Sequence, residues 1–293
     1  MSNFLTPSQI AAASIAALDE QFVLAQTVTR FGEADFTGKV GDTVTVRVDA
    51  LAGEARTYDT ARSSAIVMDE LNETGVNVAL TNYVYKGANI NDEDLTLSIV
   101  NFTKQVTTPL VKSVAAGVEK IVGTAISSVS NTVTASYSDL ADGILTGEAE
   151  LNASDVPMED RFLAVGSNVR KALLKSDDLA KVDGFEGSNV LRSAIIGDLY
   201  GMTVVFSNRI PANAAVAYHS SAFALVEKAL EVPAGATHGE TVVFNGHAIR
   251  WIQDYDSTFQ RDRGVASTLA GISPVLDGDD ADEMLRAVRI NFS

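Results

Sequence analysis

The amino-acid sequence predicts an α+β protein, and three patterns support that prediction. Two segments near the N-terminus, 43–48 and 76–85, alternate β-branched or aromatic residues with other residues, as strands do. A helical period of apolar residues then runs from residue 91 to about residue 129. Shorter strand and helix patterns follow, and the chain closes with a β-hairpin and a last strand.

Composition limits what the protein can do. At 293 residues, 46% of them hydrophobic, the chain can bury the core of one large or two modest domains. It contains no cysteine, which excludes disulfides, thiol catalysis and cysteine-ligated metals. Its net charge is −16, and its basic residues are too scattered to form a groove that follows phosphates, so we expect no direct binding of DNA. We also expect no membrane span and no signal peptide, because neither pattern is visible.

The N-terminal third predicts a helical arm and then a projecting β-extension. Pro7–Ala25 has helical periodicity, with Thr6 as a fitting N-cap before the proline. The two strands that follow are separated by a polar stretch, Ala52–Asn72, far longer than a hairpin loop of two to five residues. The strand edges of such an extension would be exposed, and unpaired edges tend to pair with another chain.

A long helix is predicted next. Asn91–Asp94 supplies side chains that favour a helix start, and Pro109 kinks or restarts the helix. About 35 helical residues would span roughly 50 Å if unbroken. We therefore expect a spine that supports the neighbouring elements.

The rest of the chain predicts shorter elements. Gly201 marks a turn between a short helix, within Leu191–Tyr200, and a buried strand, Met202–Phe206. Asn245-Gly246 is a strong signal for a tight hairpin turn. The other predicted strands are 133–136, 160–166, 214–219 and 284–292, and the other predicted helices are 138–153, 169–175 and 222–229.

Few residues suggest chemistry. His238, Glu240 and His247 could in principle hold zinc, but their spacing matches no zinc motif, and unrelated surface or strand histidines are the simpler interpretation. The acidic run Asp277–Glu283 fails the EF-hand pattern; a looser cation site stays open, but a solvated acidic loop is the favoured prediction. Trp251 is expected in the core of a strand. No catalytic residue, cofactor or metal is predicted, and an enzyme that uses scattered carboxylates ranks last among the hypotheses.

The order of elements resembles the Hong Kong 97-like fold of the major capsid proteins of tailed bacteriophages with double-stranded DNA. Locally the sequence is similar to the coat proteins of short-tailed Salmonella phages, but its spacing leaves no room for the large domain that this branch often inserts. The similar segments are Lys39–Arg47, Asp92–Leu95 with Phe102 and Pro109, Arg161–Val165, Ile196–Pro211 and Ala222–Phe223.

The resemblance implies a division of the chain into five parts. These are an N-terminal arm (1–37), an E-loop β-extension (38–88), a P-domain with the spine helix (89–130), an A-domain (131–238), and a closing hairpin that returns to the P-domain (239–293).

The resemblance also implies a function. A major capsid protein of this type assembles with itself into pentamers and hexamers of an icosahedral head in the host cytoplasm and becomes part of the virion. The head encloses double-stranded DNA, which the net negative charge would keep from sticking to the wall. Scaffolding, portal and decoration proteins are further partners that the family allows.

In such a head the extension, residues 44–85, would reach across a neighbouring subunit. The candidate interface residues in it are Arg47, Arg56, Tyr58, Asp59, Arg62, Asp69 and Glu70. Two other structural roles stay open, namely an encapsulin-like shell around a protein cargo and another structural protein of the virion.

Overall fold

The computed structural model describes residues 22–31, 43–48, 65, 74–91, 102–175, 195–244, 246–277 and 283–293. Within these residues the protein has two six-stranded sheets, one two-stranded sheet and three α-helices. The predicted arm helix, Pro7–Ala25, lies mostly outside the described residues, and its last four residues form bends and a turn instead of a helix.

Strands outnumber helices in the part of the chain that the structure describes. The strands are, in order, β1 Thr29–Phe31, β2 Thr43–Val48, β3 Thr74–Ala79, β4 Asn82–Asn91, β5 Thr132–Ala135, β6 Arg161–Val165, β7 Ile195–Leu199, β8 Met202–Phe206, β9 Ala214–His219, β10 Phe223–Lys228, β11 His238–Phe244, β12 His247–Asp256, β13 Arg261–Pro274 and β14 Ala287–Phe292. The α-helices are α1 Thr108–Ser127, α2 Leu140–Ala153 and α3 Ser167–Leu173.

Strand β13 organises the first sheet. It pairs antiparallel with β12 through residues 261–267 and with β10 through residues 269–274. All of β4 pairs along its opposite side. β11 extends the sheet beyond β12, and β1 lies parallel to β10 at the other end.

Helix α1 covers one face of this sheet, which we call the inner face. Pro109 lies in its first turn, directly after a π-helical turn at Thr103–Thr107. The apolar stripe of α1 packs beside Trp251, which is buried in β12 as predicted. A Cβ added to Gly117 would lie 2.6 Å from Val84 Cγ1, so the helix approaches β4 closely. The predicted helix start at Asn91 is a strand end here, and residues 92–101 lie outside the described part.

The second sheet has the strand order β5-β14-β9-β6-β8-β7. Helix α2 packs on it through Gly143 and Gly147, where added Cβ atoms would lie 2.5 Å from Ala135 Cβ and 2.6 Å from Ile290 Cδ1. The division that the resemblance implies puts the closing hairpin and the last strand in one part, 239–293. They do not share a sheet, because the apolar residues of β14, including Ile290, pack in the core under α2.

Two predicted helices are strands. The segment 222–229 contains β10. Both faces of this strand are buried, so its apolar residues run continuously and their spacing does not distinguish a strand from a helix. The segment before Gly201 contains β7, which forms a hairpin with β8. Tyr200 and Gly201 have φ values of 51° and 74°, as a two-residue hairpin turn of this type requires. The glycine turn is thus confirmed, but the element before it is a strand.

Strand β3 crosses the face of the first sheet opposite to α1, which we call the outer face. At Gly271 a Cβ would collide with the carbonyl oxygen of Ala79 in β3.

We predict that Gly271→Ala lowers the free energy of unfolding by about 1–3 kcal/mol, because backbone atoms must move to admit the methyl group. Urea denaturation measures the change. Gly235→Ala is the matched control, because no atom lies within 4 Å of its Cβ. Equal midpoints for the two variants would contradict the close contact.

Candidate assembly surfaces

Of the seven predicted interface residues, Arg47 alone lies in the described part of the chain. Arg47 is in β2, opposite Gly75 of β3. The other candidates lie outside the described residues; they are Arg56, Tyr58, Asp59, Arg62, Asp69 and Glu70. The structure therefore places the strand that leads into this group but not the group itself.

The hairpin is anchored by one face. Val46, Val76 and Val78 are buried, and they pack with Leu80 against Ala224 and Val226 on the outer face. The opposite face is exposed, with Thr45 Oγ1 donating to Asn77 Oδ1 at 2.8 Å. Burial of alternate residues explains the period-two pattern in the sequence. Within the described residues, β2 and β3 pair only with each other, so each has a free edge.

The predicted strand 76–85 is two strands that meet at a corner. Leu80 is fully buried at the bend, and the N–H of Thr81 donates to the carbonyl of Ala79 at 3.0 Å. β3 therefore lies over the outer face, whereas β4 lies within the first sheet. Two residues connect the hairpin to the sheet that carries α1.

Glu119 on α1 fixes the segment that leads into β1. Its carboxylate accepts backbone N–H groups from Val23 at 2.8 Å, Leu24 at 3.2 Å and Ala25 at 3.0 Å. The side chain is buried beside Val118 and Val122. Burial raises the pKa of Glu119 above its ordinary value, although these three hydrogen bonds and the charge of Arg209 oppose the rise.

A second polar cluster, centred on His247, contacts Phe22 in this segment and Arg30 in β1. Arg30 donates to His247 Nε2 at 3.0 Å, and His247 Nδ1 lies 2.9 Å from a carboxylate oxygen of Glu227. Because a guanidinium only donates, Nε2 must accept, and Nδ1 must carry the proton that it shares with Glu227. Phe22 stacks on the imidazole with ring centroids 4.1 Å apart.

The prediction that Asp277–Glu283 forms a solvated acidic loop is wrong for Asp277. Asp277 is buried, and both of its carboxylate oxygens accept from Arg286, at 2.7 and 2.8 Å. Its backbone exchanges hydrogen bonds with that of Glu283 at 2.7 and 3.2 Å. The pair with Arg286 occupies this carboxylate, so it is not available to calcium. Residues 278–282 lie outside the described part.

The candidate metal ligands of the described residues lie apart from one another. Among them, no group of three histidine or acidic side chains is placed to hold a metal ion. His238 and His247 lie at opposite ends of the β11–β12 hairpin, and both ring nitrogens of His247 are occupied. A shallow groove beside β11 contains only Glu231 and Glu240 as ionisable groups. No helix in this part of the chain is long and apolar enough to cross a membrane.

Known structures share this fold along most of their length. A structure from Mycobacterium phage Che8 has a TM-score of 0.61 and 21% identity over 92% of this chain and 90% of that one. The capsid of Ralstonia phage GP4 has a TM-score of 0.62 and 12% identity over 93% and 89%. A virus-like particle from Pyrococcus furiosus has a TM-score of 0.55 and 12% identity over 97% and 98%. The fold is thus the predicted Hong Kong 97-like fold of shell-forming proteins.

The family model described as phage capsid protein matches residues 73–268, about two thirds of the chain. The protein therefore belongs to the phage capsid protein family. This membership confirms the predicted role as a structural protein of the phage capsid and does not favour the encapsulin-like alternative. No curated protein sequence matches the chain.

Sequence reasoning missed Glu119 as an anchor. A glutamate in a helix is usually solvated, but Glu119 is four residues after Ala115 and three before Val122, on the apolar stripe. That position was a usable signal for a buried acid. It could not reveal the three amide partners, because they are more than 90 residues away in sequence.

We predict that Glu119→Ala lowers the free energy of unfolding by about 3 kcal/mol or more, because three buried N–H groups lose their acceptor. Urea denaturation at pH 7 measures the loss. Glu150→Ala is the control, since Glu150 is an exposed glutamate on α2. Similar losses in both variants would exclude an anchoring role.

The raised pKa of Glu119 also predicts a pH dependence. The folded protein binds this proton more tightly than the unfolded chain does, so the contribution to stability grows as the pH falls from above the raised pKa toward the ordinary value of 4.5. Glu119→Gln removes this titration. The stability of the wild type relative to Glu119→Gln should therefore increase on acidification in this range. A relative stability that stays constant or decreases would contradict the prediction.

Proposed function

We propose that this capsid protein is the major subunit that assembles with itself into pentamers and hexamers of an icosahedral head. One observation carries this proposal. The β2–β3 hairpin is anchored at its base on the outer face, whereas its strand edges have no partner among the described residues. In a closed shell, neighbouring subunits can supply strands that pair with these free edges.

The two sheets correspond to the two main domains in this proposal. The first sheet with α1 forms the P-domain, and the second sheet with α2 and α3 forms the A-domain. Strand β14 then belongs to the A-domain, and the closing hairpin β11–β12 belongs to the P-domain. The hairpin β2–β3 forms the base of the E-loop, which reaches across the neighbouring subunit and carries the seven predicted interface residues.

The partners and location follow from the same role. The head encloses double-stranded DNA without reading its sequence, and a net charge of −16 repels the packaged DNA from the protein wall. Assembly takes place in the host cytoplasm and ends in the virion, with scaffolding, portal and decoration proteins as further partners. The closer likeness to coat proteins of short-tailed Salmonella phages, without their inserted domain, stays a prediction.

The test is to express the full chain and image it by negative-stain electron microscopy. We expect closed shells of uniform size. A variant with residues 49–73 replaced by Asn-Gly should give none, because this turn closes the hairpin directly between Val48 and Thr74 and removes the part that reaches a neighbour.

The unfolding transition of the variant serves as the control. It should stay cooperative, with a midpoint near that of the unassembled wild-type chain, because the buried hairpin base is kept. A wild-type chain that stays monomeric under all conditions would overturn the proposed function. Normal shells from the shortened variant would overturn the role of the extension alone.

A further inference from the structure

Two passages of the chain between the six-stranded sheets lie side by side. The first crossing, residues 220–222, is a single 3₁₀ turn that joins β9 of the second sheet to β10 of the first. The second crossing, residues 275–286, leads from β13 back to β14. The N–H of Val275 donates to the carbonyl of Ala222 at 2.9 Å, so the two crossings are in direct contact.

A polar cluster joins these crossings. Arg286 donates through two nitrogens to the buried carboxylate of Asp277 and through Nη1 to Ser221 Oγ at 2.9 Å. Ser221 Oγ lies 2.7 Å from Nδ1 of His219, and the Ser221 N–H donates to the same nitrogen at 3.1 Å. The N–H of His219, the last residue of β9, donates to the carbonyl of Arg286 at 3.1 Å. We call these four residues the crossing cluster.

The hydrogen bonds of the cluster require a particular form of the imidazole. A backbone N–H only donates, so Nδ1 of His219 accepts and carries no proton. The hydroxyl of Ser221 accepts from Arg286, which leaves its own proton for Nδ1. A proton on Nδ1 would take the acceptor away from the Ser221 N–H. The cluster is therefore complete only with the neutral imidazole.

The groups around His219 disfavour a positive charge on it. Arg286 lies beyond the Ser221 hydroxyl, and Arg161 is opposite His219 in the register of β6 with β9. Burial, followed by the charge of Arg286, lowers the pKa of His219 below its ordinary value of 6.5. Arg161 adds to this lowering, and Asp160 opposes it. The carboxylate of Asp277 is bound to Arg286.

We propose that His219 is a proton-sensitive latch between the two crossings, closed while its imidazole is neutral and opened when Nδ1 takes up a proton. Opening removes the acceptor of the Ser221 N–H and puts a second positive charge near Arg286. The joint between the two sheets is then looser in acid than at neutral pH. The inference goes beyond the proposed function, because the latch belongs to a single subunit and needs no neighbouring copy.

The direction of the pH effect follows from proton binding. The unfolded chain takes up this proton at a higher pH than the folded protein, so the contribution to stability falls as the pH drops from above 6.5 toward the lowered pKa. His219→Asn keeps a side-chain acceptor for the Ser221 N–H but does not titrate. Urea denaturation should therefore show that the wild type loses stability relative to His219→Asn on acidification. His238→Asn is the matched control, because it removes an exposed histidine.

Hydrogen exchange at the Ser221 amide tests the latch in the wild-type chain itself. Between about pH 7.5 and about pH 5, the protection of this amide should fall by roughly 2- to 10-fold relative to that of Ser138, the equivalent of one hydrogen bond. Ser138 is the matched reference, because its N–H donates to Ser136 Oγ at 3.3 Å at the start of another 3₁₀ turn. In His219→Asn the ratio of the two protections should not change.

The outcomes distinguish a latch from a cap that only supports the turn. The same pH dependence in the wild type and in His219→Asn, or none in the wild type, would overturn the latch. If His219→Asn fails to fold, the nitrogen NMR signal of His219 Nδ1 in the wild type decides. Protonation of Nδ1 without loss of protection at Ser221 would also overturn the proposal. None of these measurements requires shells, so the latch and the proposed function fail separately.

Discussion

The pairing of β13 with three other strands is the constraint on which the first sheet depends. Because β4 runs along one side and β10 and β12 share the other, each residue of β13 has a fixed register. That register decides which side chains face α1 and which face the opposite surface. The pairing register of β13 therefore sets the positions of α1, of the β2–β3 hairpin and of the exposed side chains of Tyr83 and Tyr85.

Buried polar groups fix the segments that regular pairing does not reach. Glu119 and His247 hold the residues before and within β1, and Asp277 holds Arg286 just before β14. Arg161 does the same for the turn before β6, where it donates to the carbonyls of Val156 and Pro157. Each of these groups has two or more hydrogen-bond partners, so its burial does not leave an unpaired charge at these contacts.

The elements that the sequence predicts well are those in which buried residues recur at a regular spacing. The β2 and β3 strands bury one face each, and α1 buries one stripe, so period two and period 3.6 are visible in the residues. β10 has no such signal, because both of its faces are buried in the sheet core. The exposed pair of tyrosines in β4 was equally hidden. Tyr83 and Tyr85 match a strand pattern, but only the pairing of β4 with β13 puts them beside Arg250 on an open face.

The two-residue corner at Leu80 and Thr81 has a mechanical consequence. A pull on the hairpin, as outward pressure on a shell would produce, passes through these residues directly into β4. β4 is held to β13 along ten residues. A pull along the strand would act on all the hydrogen bonds between β4 and β13 at once. A pull across the strand would break them one at a time. A pull along the hairpin is therefore resisted by the whole pairing of β4 with β13.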